Sequence, residues 1–424
     1  MKTYKLKQTS KQGGSGEEES YLAPAPPLNG KIYAIDQHPD TNTVAVVKGS
    51  TPHDMIVEQT KGDLDLTELI KWLYENATAQ DQILVEAGNG CFDLCTRLAE
   101  KNLSCCVLES TWIGGQASKY VDSDKLAAVR IARVYLQGNA KAVWTPDEKS
   151  IQRREVLHFY DISVKKRTKA INTLKSYLTK HGVRPGKKDI RTIKNQEMLR
   201  RDYTWSEFET HLLELYIKQL NEACTQVKDI EQMMLKDLSQ TPDMLKLMGL
   251  MGIGKINAFA LIAIIGDITR FANPKKLVSY LGLNPSQKTS GKGKSIKIGV
   301  GKRGRRDMRA LIIQAAQAVL RIKDNPLGKW GLKLLLRKGH RNIAVAAVAR
   351  KLVTQVWHLL SGNKPELLES TKARQLKFKR FLCELGAETR ATLNLPKTID
   401  QAVEYFDQLI SNHLTKLSQK AIDQ

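Results

Sequence analysis

The chain has 424 residues, 42% of them hydrophobic, with a formal net charge of +23 and a pI near 9.6. It is long enough for two or three domains with cores of their own, and its self-repulsion favours a polyanionic partner, nucleic acid ahead of an anionic membrane surface. The longest apolar run, AFALIAIIG at 258–266, is about half of what a bilayer crossing needs, and MKTYKLKQTSKQGG contains no apolar stretch of a secretory signal, so no membrane partner is expected and the cytoplasm is the expected location.

Residues 1–30 read as a flexible, then proline-stiffened leader (SKQGGSGEEES into APAPPLNG). From Lys31 the pattern changes. KIYAID, TVAVVKG and MIVEQT read as three successive strands, and LTELIKWLYENA as an amphipathic helix with Asp65 and Glu68 set as a capping box. QILVEAG is a fourth strand, a helix follows Cys91, CCVLES is a fifth strand, and a helix spans about 123–137. Three strands followed by alternating helix and strand is the order of a ribonuclease H-like α/β domain. Four of the six cysteines fall here, at Cys91, Cys95, Cys105 and Cys106. They read either as a zinc site or as buried small apolar residues, and the familiar two-residue ligand spacing is missing.

TPDEKS places a Thr145 cap and Pro146 at the start of a long, charged helical region. Within it Leu213, Tyr216, Leu220, Ala223, Val227, Ile230 and Met234 alternate spacings of three and four, an apolar seam that suits an internal antiparallel hairpin or a dimer contact. LMGLMGIGKINAFALIA (247–263) opens a further helical domain, where Gly252, Gly254 and Lys255 suit a helix-hairpin-helix turn that brings backbone N–H groups close to phosphate. A tight turn with no ligand would look the same. Residues 285–309 then hold nine Lys or Arg against one Asp. Lys292, Lys294, Lys297, Lys302, Arg303, Arg305 and Arg306 read as phosphate contacts, with Ser286, Ser290 and Ser295 as hydroxyl donors to phosphate. RALIIQAAQAVLRI and RNIAVAAVARKLVTQVWHLL are strong helices, and the last fifty residues read as a helical appendage. Trp112, Trp144 and Trp205 are expected either in cores or stacked on unpaired bases.

Asp36 ends the first strand and Glu86 the fourth, neighbours in a ribonuclease H-like sheet, so their carboxylates are expected side by side, with Asp124 as a third contributor from the following helix. Such a set suits Mg²⁺, which takes a few protein carboxylates and leaves its other positions to water and phosphate oxygens. A second carboxylate one turn on would share that helical face, but the chain has alanine at both 127 and 128.

YAIDQHPDTN, ILVEAGNG and DSDKLAAVRIAR followed by VWTPDE resemble the Asp-Glu-Asp-Asp RuvC-like half of a family of insertion-sequence transposases related to the Piv-type DNA invertases. LMGIGKINAFALIAIIGDITRFANPKKLVSYLGLNPSQKTSG and then HRNIAVAAVARKL resemble that family's C-terminal transposase half, so the likeness runs in order over about 31–360. The resemblance implies a RuvC-like metal-binding domain at 31–145, a helical or coiled-coil region at 146–240 and a transposase domain at 241–362, and the residues beyond, 363–424, read as the helical appendage. It also implies an RNA-guided recombinase, in which a structured noncoding (bridge) RNA pairs with donor and target double-stranded DNA. A dimer or pair of dimers, nucleoid-associated when acting in a bacterial cytoplasm, goes with that reading. By the same likeness Asp36, Glu86 and Asp124 match the first three acids, the fourth falls on Ala127, and Ser290 is the nucleophile that becomes esterified to DNA. Ala127 leads to the expectation of assembly without efficient strand exchange. The rival readings are a metal-dependent junction nuclease in which Ser290 is passive, and a binding protein whose catalysis has decayed.

Overall fold

The computed structural model describes residues 21–27, 29–110, 113, 123–138, 140–184, 186, 189–288, 296–301, 304–322, 325–363 and 369–420, and the chain divides into two compact units, 1–148 and 149–424.

The first unit is built on one seven-stranded sheet. Its strands are β1 (Tyr21–Leu22), β2 (Ile32–Gln37), β3 (Asn42–Lys48), β4 (Ile56–Leu64), β5 (Gln82–Glu86), β6 (Ser104–Leu108) and β7 (Lys141–Ala142), in the spatial order β1-β7-β6-β5-β2-β3-β4. β2, β3 and β4 form an antiparallel meander, whereas β5 and β6 join parallel to β2 after crossover helices. Strands buried on both faces need apolar residues at nearly every position, and β2 and β3 supply them. Tyr33, Ile35, Val44 and Val46 face α1 (Leu66–Asn76) and α2 (Cys91–Ala99), while Ile32, Ala34, Ala45 and Val47 face α3 (Asp124–Leu136). The Asp65/Glu68 capping box starts α1 as the sequence suggests. The leader is shorter than expected, because Tyr21 and Leu22 pair with β7 and the Ala23 amide donates to Ala140. An extended segment gains more from completing a sheet edge than from remaining solvated.

The cysteines form no ligand set. Cys91, Cys95 and Cys105 lie in the core on one face of the sheet and Cys106 in that on the other. Burial pushes the Cys106 thiol up to about 11.

The second unit opens with α4 (Glu148–Lys180), which starts three residues after Thr145, so Pro146 precedes the helix rather than beginning it. After α5 (Ile193–Arg201), α6 (Glu207–Gln240) runs back along α4 as an antiparallel hairpin. Arg153 makes a bidentate pair with Asp237 at 2.6 and 2.9 Å, Lys166 meets Gln226 at 3.2 Å, and the Tyr177 hydroxyl donates to the Glu209 carbonyl at 2.8 Å. This settles the partner of the apolar seam. Leu213, Leu220 and Ala223 are buried with Ala170, Leu174 and Leu178 of the same chain, and Ile217 takes the buried place expected of Tyr216. Trp205 stacks on Tyr177 and donates to the Leu199 carbonyl, which places it in this core. Trp144 is half-buried, and Trp112 lies outside the described residues.

The remaining helices, α14 apart, share one core. They are α7 (Pro242–Met248), α8 (Lys255–Ile265), α9 (Pro274–Tyr280), α10 (Arg306–Arg321), α11 (Pro326–Lys338), α12 (Arg341–Leu360), α13 (Thr371–Leu385), α14 (Ala387–Thr392) and α15 (Ile399–Lys420). α12 is long and apolar enough by composition to cross a membrane, but Val345, Val348, Leu352, Val353 and Val356 are buried in this core. The C-terminal helices are no separate appendage, since Phe378, Phe381 and Phe406 pack into the same interior. The basic segment also has more structure than a loop, with β8 (Pro285–Lys288) and β9 (Ile296–Val300) paired antiparallel.

Candidate functional site

The carboxylates of the first unit come together through sheet register. Ile35 of β2 lies opposite Val85 of β5 in a parallel pairing, so the next residues, Asp36 and Glu86, end adjacent strands side by side. Asp36 is only 8% exposed. Burial first, and the Asp36 charge second, raise the Glu86 carboxyl above its ordinary value, with Arg130 and His38 opposing. Two partly desolvated carboxylates facing one another are unfavourable without a cation. The turn after β5 approaches closely: Gly90 is left-handed at φ 85°, and a Cβ there would stand 2.9 Å from Gln37 Nε2.

Asp124 reaches the same edge from α3. Ser123 caps that helix, its hydroxyl accepting from the Leu126 amide, which fixes Asp124 in the first turn. Ala127 follows one turn later and is half-buried. A fourth group that the sequence reading missed stands among the acids. His38 Nε2 lies 3.4 Å from Asp36 Oδ2 and 4.0 Å from Asp124 Oδ1, and ligand atoms of these three residues all fall within 4.8 Å of one another. The signal was present in Asp36-Gln37-His38, since side chains two apart along an extended segment point to the same side. An oxygen-rich set with one imidazole fits a divalent cation that accepts mixed donors, Mn²⁺ as well as Mg²⁺.

In the second unit, the turn between α7 and α8 is as tight as its glycines suggest, but its close approach is to protein. Gly252 has φ 76°, and a Cβ there would stand 2.5 Å from Val319 Cγ2 and 3.0 Å from the Ala315 carbonyl oxygen, both on α10. Gly254 precedes α8 with open space around it. Lys255 does not project freely: it pairs with Glu231 at 3.1 Å and with Glu384. Its charge is shared with two carboxylates inside the fold. From the other side Lys377 of α13 donates to the carbonyls of Met248, Leu250 and Ile253 at 2.8, 3.2 and 3.1 Å and pairs with Glu369 at 2.9 Å. The C-terminal helices thus hold this turn in place.

Ser290, Lys292, Lys294, Lys302 and Arg303 lie outside the described residues, and Lys297 is placed on β9 by its backbone alone. Arg305 forms a bidentate pair with Asp307 at 3.1 and 2.8 Å, and Arg306 begins α10 exposed to solvent.

Residues 244–329, which include the Gly252 turn and Ser290, match the family described as Transposase IS116/IS110/IS902. The chain is 27% identical over 217 residues to a transposase for insertion sequence element IS1328 of Yersinia enterocolitica, a stretch covering 50% of this chain and 64% of that protein. It is 28% identical over 265 residues to a transposase for IS1111A of Coxiella burnetii, covering 56% and 64%. A pilin gene-inverting protein of Moraxella lacunata is 29% identical over 115 residues, 27% of this chain and 35% of that protein. The matched stretches therefore span a little under two thirds of the two insertion-sequence relatives. By these matches the chain is similar to insertion-sequence transposases, and residues 244–329 carry the segment that characterises the IS116/IS110/IS902 family.

Proposed function

We propose that the chain is a DNA transposase of an insertion sequence that cuts and rejoins donor and target DNA through a covalent phosphoserine at Ser290. The observation that carries this reading is the acid cluster: Asp36 and Glu86 end adjacent parallel strands, and Asp36, Asp124 and His38 bring ligand atoms within 4.8 Å of one another, in a chain whose residues 244–329 match a transposase family. The sheet order β4-β3-β2-β5-β6, an antiparallel meander joined to parallel crossovers, supports a ribonuclease H-like (RuvC-like) reading of the first unit. Likeness to a pilin gene-inverting protein supports recombination over simple cleavage.

Asp36, Glu86 and Asp124, with His38, would hold Mg²⁺ or Mn²⁺. Bound there, the ion would stabilise negative charge developing on phosphate oxygens. Ser290 Oγ forms a bond to phosphorus, the strand's own P–O bond breaks, and the released hydroxyl takes up a proton while serine gives one up. The phosphodiester energy is kept, so rejoining needs no ATP. No His, Asp or Glu lies within ten residues of Ser290, so serine depends on groups distant in sequence for activation. Ser290 and the acid cluster must act on one phosphodiester, whether contributed by one subunit or by two in a homo-oligomer. Target choice rests with a structured guide RNA, read by the protein through shape and phosphates; the low aromatic content, 6%, agrees with backbone recognition. Ala127 removes one acid from the cluster and weakens the reaction.

Recombination between donor and target plasmids tests this. Ala127→Asp should raise the yield, and Ser290→Ala should abolish it in either background. Equal recombination by the Ser290→Ala protein would contradict the serine mechanism and favour a metal-only nuclease.

A further inference from the structure

The basic segment around Ser290 is not the only strongly cationic stretch. From Ile162 to Lys188 the sequence carries nine Lys or Arg and no Asp or Glu, a purer positive run than 285–309. Most of it lies on α4, whose two faces differ sharply. Ala170, Leu174, Tyr177 and Leu178 are buried against α6. On the outer side Lys165, Thr168, Lys169, Asn172, Thr173 and Ser176 recur at spacings of three and four and line one shallow, open depression.

Among the described residues that outer side is mostly open to solvent. All six residues are exposed except Thr173, which is half-buried. The Thr168 and Thr173 hydroxyls donate to the Val164 and Lys169 carbonyls, at 2.8 and 2.9 Å. Their donors are thus satisfied on the helix itself. Lys165 pairs with Asp161 one turn earlier, and no carboxylate among the described residues pairs with Lys169. No aromatic residue occurs between Asp161 and Ser176, so the face offers no platform on which an unpaired base could stack. From Lys165 to Lys180 the helix extends about 22 Å, roughly two thirds of a duplex turn.

We propose that this outer face of α4 docks the phosphodiester backbone of a DNA duplex, Lys165 and Lys169 meeting phosphates and Asn172 and Ser176 donating hydrogen bonds. The proposal rests on the reading of the chain as an enzyme acting on double-stranded DNA and adds a surface remote in sequence from both the acid cluster and Ser290. An RNA duplex of the same length is the contrasting arm of the assay. Such contacts carry no sequence information and should show as salt dependence.

The test uses the full chain and labelled 20-base-pair duplexes of arbitrary sequence, one of DNA and one of RNA, with affinity measured by anisotropy from 50 to 300 mM salt. Lys165→Gln/Lys169→Gln removes two exposed cations from a formed helix and should leave its circular dichroism unchanged. On the DNA duplex the plot of log affinity against log salt should flatten by about two, and affinity near physiological salt should fall about tenfold. Lys71→Gln/Lys372→Gln, two exposed lysines elsewhere, removes the same net charge and should leave the slope near that of the parent. An unchanged slope on DNA in the first variant, a flattening on RNA alone, or an equal flattening in the second variant overturns this surface while leaving the proposed activity standing. Failure of the parent chain to bind the DNA duplex overturns both.

Discussion

The acid cluster and the α7–α8 turn place charge in opposite ways. At the strand ends Asp36 and Glu86 are partly desolvated beside one another, and the Glu86 carboxyl is pushed up in consequence. At the turn, Lys255 lies between Glu231 and Glu384, and Lys377 is met by three carbonyls and Glu369. At the first, Arg130 and His38 offset the carboxylates only in part, since the Glu86 carboxyl stays raised; at the second, cations and carboxylates are matched within the fold. Both regions are candidates by residue type, and their surroundings separate a place where a carboxyl stays raised from one that uses charge to hold the chain together.

Four substitutions sharpen or break this contrast. Asp36→Asn should have the largest effect, lowering metal-dependent strand transfer by about a hundredfold and removing any rise in melting temperature on adding Mn²⁺. A Mn²⁺-induced rise equal to that of the parent would show that the cluster is not the metal site. Lys377→Ala should leave the carbonyls of the turn and Glu369 without their partner, costing about 3 kcal/mol in denaturant unfolding of the second unit. A midpoint within error of the parent would remove the clamp from the account. Lys255→Gln sets Glu231 and Glu384 against each other and should destabilise by about 1 kcal/mol, with no change in the salt slope of DNA binding. A flatter slope would restore Lys255 as a phosphate contact.

The smallest effect is one of pH. A carboxyl raised in the folded state contributes its relative stability below the unfolded value, near 4.5 for Glu86, and loses it as pH rises through the folded value. In metal-free protein Glu86→Gln should therefore match the parent at pH 4 and melt about 1–2 °C higher at neutral pH. A variant that melts lower than the parent at neutral pH would mean that the Glu86 charge is already compensated.

The sheet was readable because doubly buried strands leave an almost unbroken apolar signature. Strand ends follow from it, which is why the sequence places Asp36 beside Glu86. His38 was missed because a histidine after a strand has no signature apart from its spacing to Asp36. The seam on α6 could be seen but not assigned, since spacing fixes a face and not its partner; the Arg153–Asp237 and Tyr177–Glu209 contacts supply the partner. Gly252 and Lys255 resembled a phosphate-binding turn because a turn pressed onto α10 requires the same glycine as one pressed onto DNA. The role of the C-terminal helices was illegible because their contacts with residues 248–255 bridge more than a hundred positions of sequence.

The central claim, that Ser290 becomes joined to DNA with help from the acid cluster, is tested most directly by a denaturing gel. The Ala127→Asp chain, purified without nuclease treatment, is incubated with end-labelled donor and target duplexes and Mg²⁺ or Mn²⁺. A protein–DNA band should survive denaturation, be stronger than in the parent chain, and vanish on adding either Ser290→Ala or Asp36→Asn. Free cleaved DNA with no such band, or a band that persists without Ser290, would contradict the account.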